Sequence, residues 1–256
     1  MSTVYEIYNL LDSLIPPSLS CEWDNDGIMC MPNAEEAVGG ILLTLDITSE
    51  AIDYAVKNRM NLIISHHPLV FRPLKGLSTL DYVGKRLVRL TEKGIAAFTF
   101  HTRLDAVVGG VNDALAERLG LIDTEPFGPD GEKIGRIGYV KPSDLVTFAN
   151  DVKERLGCPY VTVSDAGNKI HRVAVLGGAG KDYVISALKS GADSYVAGEM
   201  DYNSLLDSRE MGLNVILAGH FYTENPVLEK LKNMIENHLA DEKINIDIFD
   251  CYKFKN

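Results

Sequence analysis

Four of the six histidines in this 256-residue chain fall in three short polar clusters: ISHHP at residues 64–68, FHTRLD at 100–105 and LAGHFYTE at 217–224. Imidazole nitrogens and carboxylate oxygens together form donor sets that suit Zn²⁺, Fe²⁺, Mn²⁺ or Ni²⁺. The clusters contain no thiolate, which argues against an iron–sulfur or structural zinc site. Adjacent histidines on a strand point to opposite faces. Pro68 breaks that geometry and lets His66 and His67 face one cavity from opposite sides, which suits two ions better than one. Asp105 offers a hard oxygen ligand, and Glu224, four residues beyond His220, can bridge two cations with its two oxygens. Singly these signals are weak, because a strand-end histidine is more often a hydrogen-bonded structural residue. Their joint presence argues for a metal centre.

Three strands must bring the clusters together. Residues 38–46 (VGGILLTLD) are a short, partly β-branched apolar run bounded by glycine and aspartate, the pattern of a buried strand. Thr48 caps a following helix whose apolar face is Ile52, Ala55 and Val56, and a second buried strand, residues 61–64, runs into ISHHP. This is a βαβ unit with histidines at a strand's carboxyl end. A helix over 79–93 and a strand over 95–100 lead into FHTRLD, and a further amphipathic helix covers 111–119. Near the end, a helix at 204–211 and a strand at 213–218 deliver His220 to a strand terminus. Glu224 then enters a helix over 227–238, where Pro226 suits the first turn and Leu228, Leu231, Ile235 and Leu239 form a stripe. A terminal strand spans 244–249. In open α/β sheets, ligands gather beyond the carboxyl ends of the strands.

The texture changes between about residues 128 and 168. This stretch holds the turn-rich GPDGEK, a strand near 136–139, a helix at 143–156 and a strand at 160–163. Residues 172–199 can then be laid over 40–67, each copy reading strand, small or acidic turn, helix, strand. All βαβ units share this rhythm, so the match is consistent with either a duplication or a common architecture. The expected organisation is a first α/β domain at residues 1–126 plus 212–256, carrying the metal ligands, and a second α/β domain at 127–211.

Composition narrows the class. About 46% apolar residues suffice for a sizeable core, and a net charge of −11 with no basic segment argues against nucleic acid as a partner. Cys21, Cys30, Cys158 and Cys251 are dispersed, as in a reducing compartment. Thr3 and Glu6 fit a capping box at the head of a helix with Val4, Ile7, Leu11 and Leu14 on one face, not a signal peptide. No run approaches the roughly 18–20 apolar residues that cross a bilayer. A cytoplasmic protein is expected.

Other residues leave alternatives open. Asp24 and Asn25 either line a pocket or form an Asx turn before the next strand. Glu199 either approaches the metals or caps a loop. Gly177, Gly178 and Gly180 resemble a phosphate cradle but lack GxGxxG or a GK[ST] ending. His171 and His238 read as ordinary surface or packing residues.

The order WDNDG, ISHHP, HTRLDAVVGGVNDALA, GGAGKD, AGE and GHFYTE resembles the Nif-three-like family, whose members are often labelled GTP cyclohydrolase I type 2 homologues and include YbgI-like dinuclear metal proteins. The resemblance spans nearly the whole chain. It implies two α/β sandwich domains of similar topology, with a dinuclear site in the cleft between them and a toroidal homohexamer built as a trimer of dimers. Carried onto this chain, His67 and Asp105 would hold one divalent ion, His66 and His220 the other, and Glu224 would bridge both. His101 matches the family's further pocket histidine, a candidate proton donor or acceptor. Arg103 stands where the family usually has asparagine, which bears on substrate contacts near Asp105.

Two functions follow. One is a metal-dependent hydrolase acting on a small phosphorylated or nucleotide-like substrate, with His101 moving the proton. The other is a non-enzymatic metal storage, delivery or sensing protein, or a ring-shaped interaction module. The ligand constellation does not separate them.

Overall fold

The computed structural model describes residues 1–129 and 132–252, so the middle of the GPDGEK stretch, residues 130 and 131, lies outside the described residues. The strands in chain order are β1 (Gly27–Cys30), β2 (Gly40–Thr44), β3 (Leu62–Ser65), β4 (Ala96–Thr99), β5 (Ile122–Phe127), β6 (Gly135–Ser143), β7 (Thr162–Ser164), β8 (Ile170–Ala179), β9 (Ser194–Glu199), β10 (Asn214–Leu217) and β11 (Asn245–Ile248). The helices are α1 (Val4–Leu14), α2 (Ser49–Lys57), α3 (Tyr82–Glu92), α4 (Thr102–Ala106), α5 (Val111–Leu119), α6 (Leu145–Leu156), α7 (Val184–Lys189), α8 (Tyr202–Glu210), α9 (His220–Glu224) and α10 (Val227–His238). They build two α/β units: Met1–Val107 with Leu228–Asn256, and Val108–Val227. Among the described residues, no helix is long and apolar enough to cross a membrane.

The first unit holds a five-stranded sheet in the order β1-β4-β3-β2-β11, parallel throughout except at β1. Burial of both faces of β2, β3 and β4 explains their unbroken apolar runs. Ile41, Leu42, Leu43, Ile63, Ile64 and Phe98 are fully buried. The register sets Thr44 beside Ser65 and Ser65 beside Thr99, so the carboxyl ends of three strands lie level. Buried hydroxyls stabilise the backbone where it leaves the sheet: Ser65 donates to the His67 carbonyl at 2.9 Å and lies 2.8 Å from the Thr99 hydroxyl, and Thr44 donates to the Asp46 carbonyl at 3.1 Å. The capping box at α1 is present, with the Glu6 amide donating to Thr3 at 3.2 Å and the Thr3 amide to Glu6 at 2.8 Å.

The second unit holds a six-stranded sheet, β5-β6-β8-β9-β10-β7, in which β8, β9 and β10 run parallel. Its β8-α7-β9 segment repeats the β2-α2-β3 arrangement of the first unit, as the sequence overlay anticipates. Leu115, Ala116 and Leu119 of α5 share a core with Phe148 and Val152 of α6 and Val173 and Val175 of β8.

The boundary between units departs from the expected 1–126 plus 212–256. Residues 111–119 go with the second unit because α5 packs on β8. Residues 212–227 go with it because β10 is hydrogen-bonded between β9 and β7. Two short helices, α4 and α9, replace the expected direct passages from strand to cluster. The edge strand β5 carries no alternation because only Phe127 of its residues is buried.

Arg103 is buried in an ionic network. Its side chain is 1% exposed, donates to Asp12 at 2.7 Å and to the Ile15 carbonyl at 3.0 Å, and pairs through Nε with Asp26 at 2.9 Å. Its guanidinium lies 4.5 Å from the centre of the Phe100 ring. It therefore ties α1 and the segment before β1 to the helix that bears Asp105. Removing one member of a buried ionic network strands the others in low dielectric. Arg103→Met is expected to lower folding stability by about 3–5 kcal/mol, with Arg103→Lys intermediate, as measured by urea unfolding.

Candidate metal centre

Level strand ends put the chemistry of the first unit in one place. Asp46 follows β2, His66 and His67 follow β3, and His101 follows β4. The ligand atoms of His66, His67 and His101 lie within 4.8 Å of one another. The His66 and His67 ring centres are 4.8 Å apart, and His101 lies 5.2 and 5.8 Å from them. Turning into α4 carries Asp105 back over the cluster, its Oδ1 3.6 Å from His66 Nε2.

Each imidazole is held through Nδ1. His66 Nδ1 donates to the Phe100 carbonyl at 3.1 Å, His67 Nδ1 to Asp46 at 3.1 Å and His101 Nδ1 to Asp24 at 2.8 Å. A neutral imidazole carries one N–H, so spending it on Nδ1 makes Nε2 the lone-pair nitrogen. A carboxylate or carbonyl that fixes the tautomer in this way is the usual outer partner of a metal-ligating histidine. In His66 that Nε2 faces an Asp105 carboxylate oxygen, which is favourable only with a proton or a cation between them.

In the second unit, α9 places His220 and Glu224 on one helical face. His220 Nε2 lies 3.0 Å from Glu224 Oε1, and Nδ1 lies 3.1 Å from Glu199 Oε1. A ring with a carboxylate oxygen at each nitrogen needs a proton or a cation in both contacts. Glu224 is buried. Gly178, at φ +71°, lies against this pair: a Cβ there would overlap the Glu224 carboxylate and come within 3.0 Å of His220 Nε2. Gly177 and Gly178 of GGAGKD, both within β8, therefore make room for the His220–Glu224 pair, whereas Gly180 packs against Tyr195 and Ala197. Glu199, ambiguous in the sequence, lies at His220.

The donor set thus fits divalent cations in each unit taken by itself. His171 and His238 lie outside it, bonding the Val140 and Met234 carbonyls at 2.8 Å each. Sequence reasoning missed Asp46 as the partner of His67; its only signal was an acidic residue two positions past an apolar strand. Cys251 Sγ lies 3.5 Å from Asp46, where burial, reinforced by that carboxylate, pushes the thiol up to about 11, far from a thiolate ligand.

Asp24 resolves the WDNDG motif. One oxygen accepts from His101 and the other from the Thr102 amide at 3.0 Å and hydroxyl at 2.6 Å. Burial works to raise its pKa, yet these hydrogen bonds outweigh burial and hold the carboxyl well below the usual range.

These features define a two-sheet α/β protein with candidate metal-ligand clusters at its strand ends. The sequence profile of Duf34/NIF3 (NGG1p interacting factor 3) matches residues 2–254, and the chain belongs to this family. A Clostridium perfringens protein described as a GTP cyclohydrolase 1 type 2 homolog is 33% identical over 244 residues, covering 93% of this chain and 92% of its own. The crystal structure of a Bacillus cereus protein related to NIF3 superposes with a TM-score of 0.89 at 25% identity, covering 100% of this chain and 98% of that one. The Staphylococcus aureus hypothetical protein SA1388 superposes with a TM-score of 0.88 at 28% identity, covering 99% of each chain.

A carboxyl with a depressed folded pKa stabilises the fold above its ordinary pKa, and that stabilisation is lost as the pH falls through the folded value. Asp24→Asn is therefore expected to be less stable than wild type near pH 7. The gap should narrow progressively below about pH 4, as read by unfolding of metal-free protein across that range.

Proposed function

We propose that this protein is a dinuclear metal-binding hydrolase acting on a small phosphorylated or nucleotide-like substrate. In this reading His67 and Asp105 hold one ion, His66 and His220 the other, and Glu224 contacts both. The observation that carries it is the arrangement of the imidazoles. Three present Nε2 from rings whose Nδ1 is anchored, and the fourth has carboxylates at both nitrogens. Family membership supports the same ligand set.

A divalent pair bound there would lower the pKa of water and offset negative charge developing on a substrate. The protein's own groups do the rest. Asp46 and the Phe100 carbonyl fix the tautomers of His67 and His66, and Asp24 fixes that of His101. An aspartate at Nδ1 orients an imidazole so that Nε2 takes or gives the proton and stabilises the imidazolium that forms. His101 thus suits proton transfer at Nε2, with Asp24 and Thr102 as its positioning residues. The overall charge of −11 repels an anionic substrate, and a local dication reverses that field.

Metal analysis tests the site. Wild type is expected to carry about two ions per chain, and His67→Ala and Glu224→Ala to lose most of them; wild-type metal content in both variants would sink the proposal. Across a panel of phosphoesters and nucleotides, His101→Gln is expected to keep its metal while turnover falls by about 10²–10⁴. Metal without turnover in wild type favours storage, delivery or sensing. The same reading takes the working unit to be a cytoplasmic toroidal homohexamer, and sedimentation analysis should find six chains per particle.

A further inference from the structure

The first unit carries a cavity of about 500 Å³ that His67 lines and that extends away from the other candidate metal ligands. Its volume is in the range of small-molecule sites. It is lined by Asp46, Ile47, His67, Pro68 and Leu69, by residues 70–74 and by the first turns of α3. The chemistry of those walls is distinctive. Arg72 and Arg86 both line it, as do the rings of Phe71 and Tyr82. Asp46, already bonded to His67, is the one carboxylate among the residues that line it.

In a chain with 36 acidic and 25 basic residues, two guanidiniums beside one carboxylate reverse the local charge. Neither arginine forms an ion pair among the described residues, whereas Arg89, one turn further along α3, pairs with Asp53. The Arg86 guanidinium lies 5.6 Å from the centre of the Tyr82 ring, a stacked position that holds the fork in place while leaving its donors available. Phe71 is 45% and Tyr82 72% exposed, more than large aromatics in a closed core show. Paired guanidiniums recognise phosphate in a forked geometry, and exposed rings offer faces on which a flat heterocycle stacks.

We propose that this cavity is the recognition subsite for the substrate of the neighbouring centre. In it Arg72 and Arg86 take a phosphate monoester, and Phe71 and Tyr82 take the ring system that carries the phosphate, so that the ligand class is a nucleoside monophosphate. The proposal rests on the functional reading above and extends it by assigning specificity to residues outside the metal ligands. None of the four is a metal ligand, so recognition and metal binding are separable by mutation.

The chain has a single tryptophan, Trp23, whose ring lies 6.2 Å from Phe71 and 6.2 Å from His101. It is a built-in reporter for occupation of the cavity. The four ribonucleoside 5′-monophosphates, the corresponding nucleosides and inorganic phosphate would be titrated by calorimetry and by Trp23 emission, with metal content measured on every sample. At least one monophosphate is expected to bind about tenfold or more tighter than its nucleoside and than inorganic phosphate. Arg86→Gln and Arg72→Gln should each weaken that monophosphate about tenfold, a change matching loss of a charge-assisted hydrogen bond, while leaving metal content and the thermal midpoint at wild-type values. Tyr82→Ala should weaken the monophosphate and the nucleoside but not inorganic phosphate. The subsite is overturned if no monophosphate binds wild type, or if binding is unchanged in both arginine variants. Binding that follows these arginines in a protein without metal would instead sink the dinuclear reading and keep the subsite.

Discussion

The structure of the first unit turns on the parallel register that lays Thr44, Ser65 and Thr99 side by side. Parallel strands of equal reach end in one plane, and whatever follows them is delivered to the same small region. Here three consecutive exits carry Asp46, His66 with His67, and His101. A slip of one residue in any pairing would send that strand's polar exit to the opposite face of the sheet. The unbroken burial of these strands makes such a slip costly, so a hydrophobic constraint enforces the geometry of a polar cluster.

Electrostatics then select what the cluster can hold. Each ring nitrogen facing a fixed acceptor commits the imidazole to one tautomer, and in His66 and His220 the Nε2 lies near a further carboxylate oxygen. Lone pairs opposed to carboxylates repel in the absence of a positive charge, and this repulsion is the physical content of a cation site. The carboxylates Asp24, Asp46, Asp105, Glu199 and Glu224 are not an undifferentiated acidic surface. Three of them orient a histidine through Nδ1, and the other two face an Nε2.

Two places in the chain show how type and spacing mislead without context. Arg103 sits in sequence between His101 and Asp105, two candidate site residues, a position that suggests contact with substrate. Helix α4 rotates it by about 100° per residue away from Asp105, into a buried network with Asp12, Asp26 and the Phe100 ring. The glycines at 177 and 178 resemble a phosphate loop in composition, yet they lie in β8, where absence of a Cβ lets the His220–Glu224 pair approach the backbone.

The chain by itself determined the βαβ rhythm, the strand-end placement of the histidines and the family pattern, because buried parallel strands, helix caps and polar exits are all local signals. Helices α5 and α10 run over the residues expected of them. Tertiary structure decided the rest. β10 joins the second sheet through hydrogen bonds to its predecessor β9 and to the more remote β7, so its unit is set by strand pairing and no local texture marks the boundary. β5 is an exposed edge strand and lacks the apolar alternation that reveals a half-buried one. α4 and α9 are five residues each, too short for a periodic stripe to show. Asp24, Asp46 and Glu199 acquire their partners 77, 21 and 21 residues away along the chain. Which nitrogen of which histidine is held, and by what, is a property of packed neighbours and not of spacing. The opening pattern of three polar clusters was therefore legible in the residues, and the tautomers that make those clusters a donor set were not.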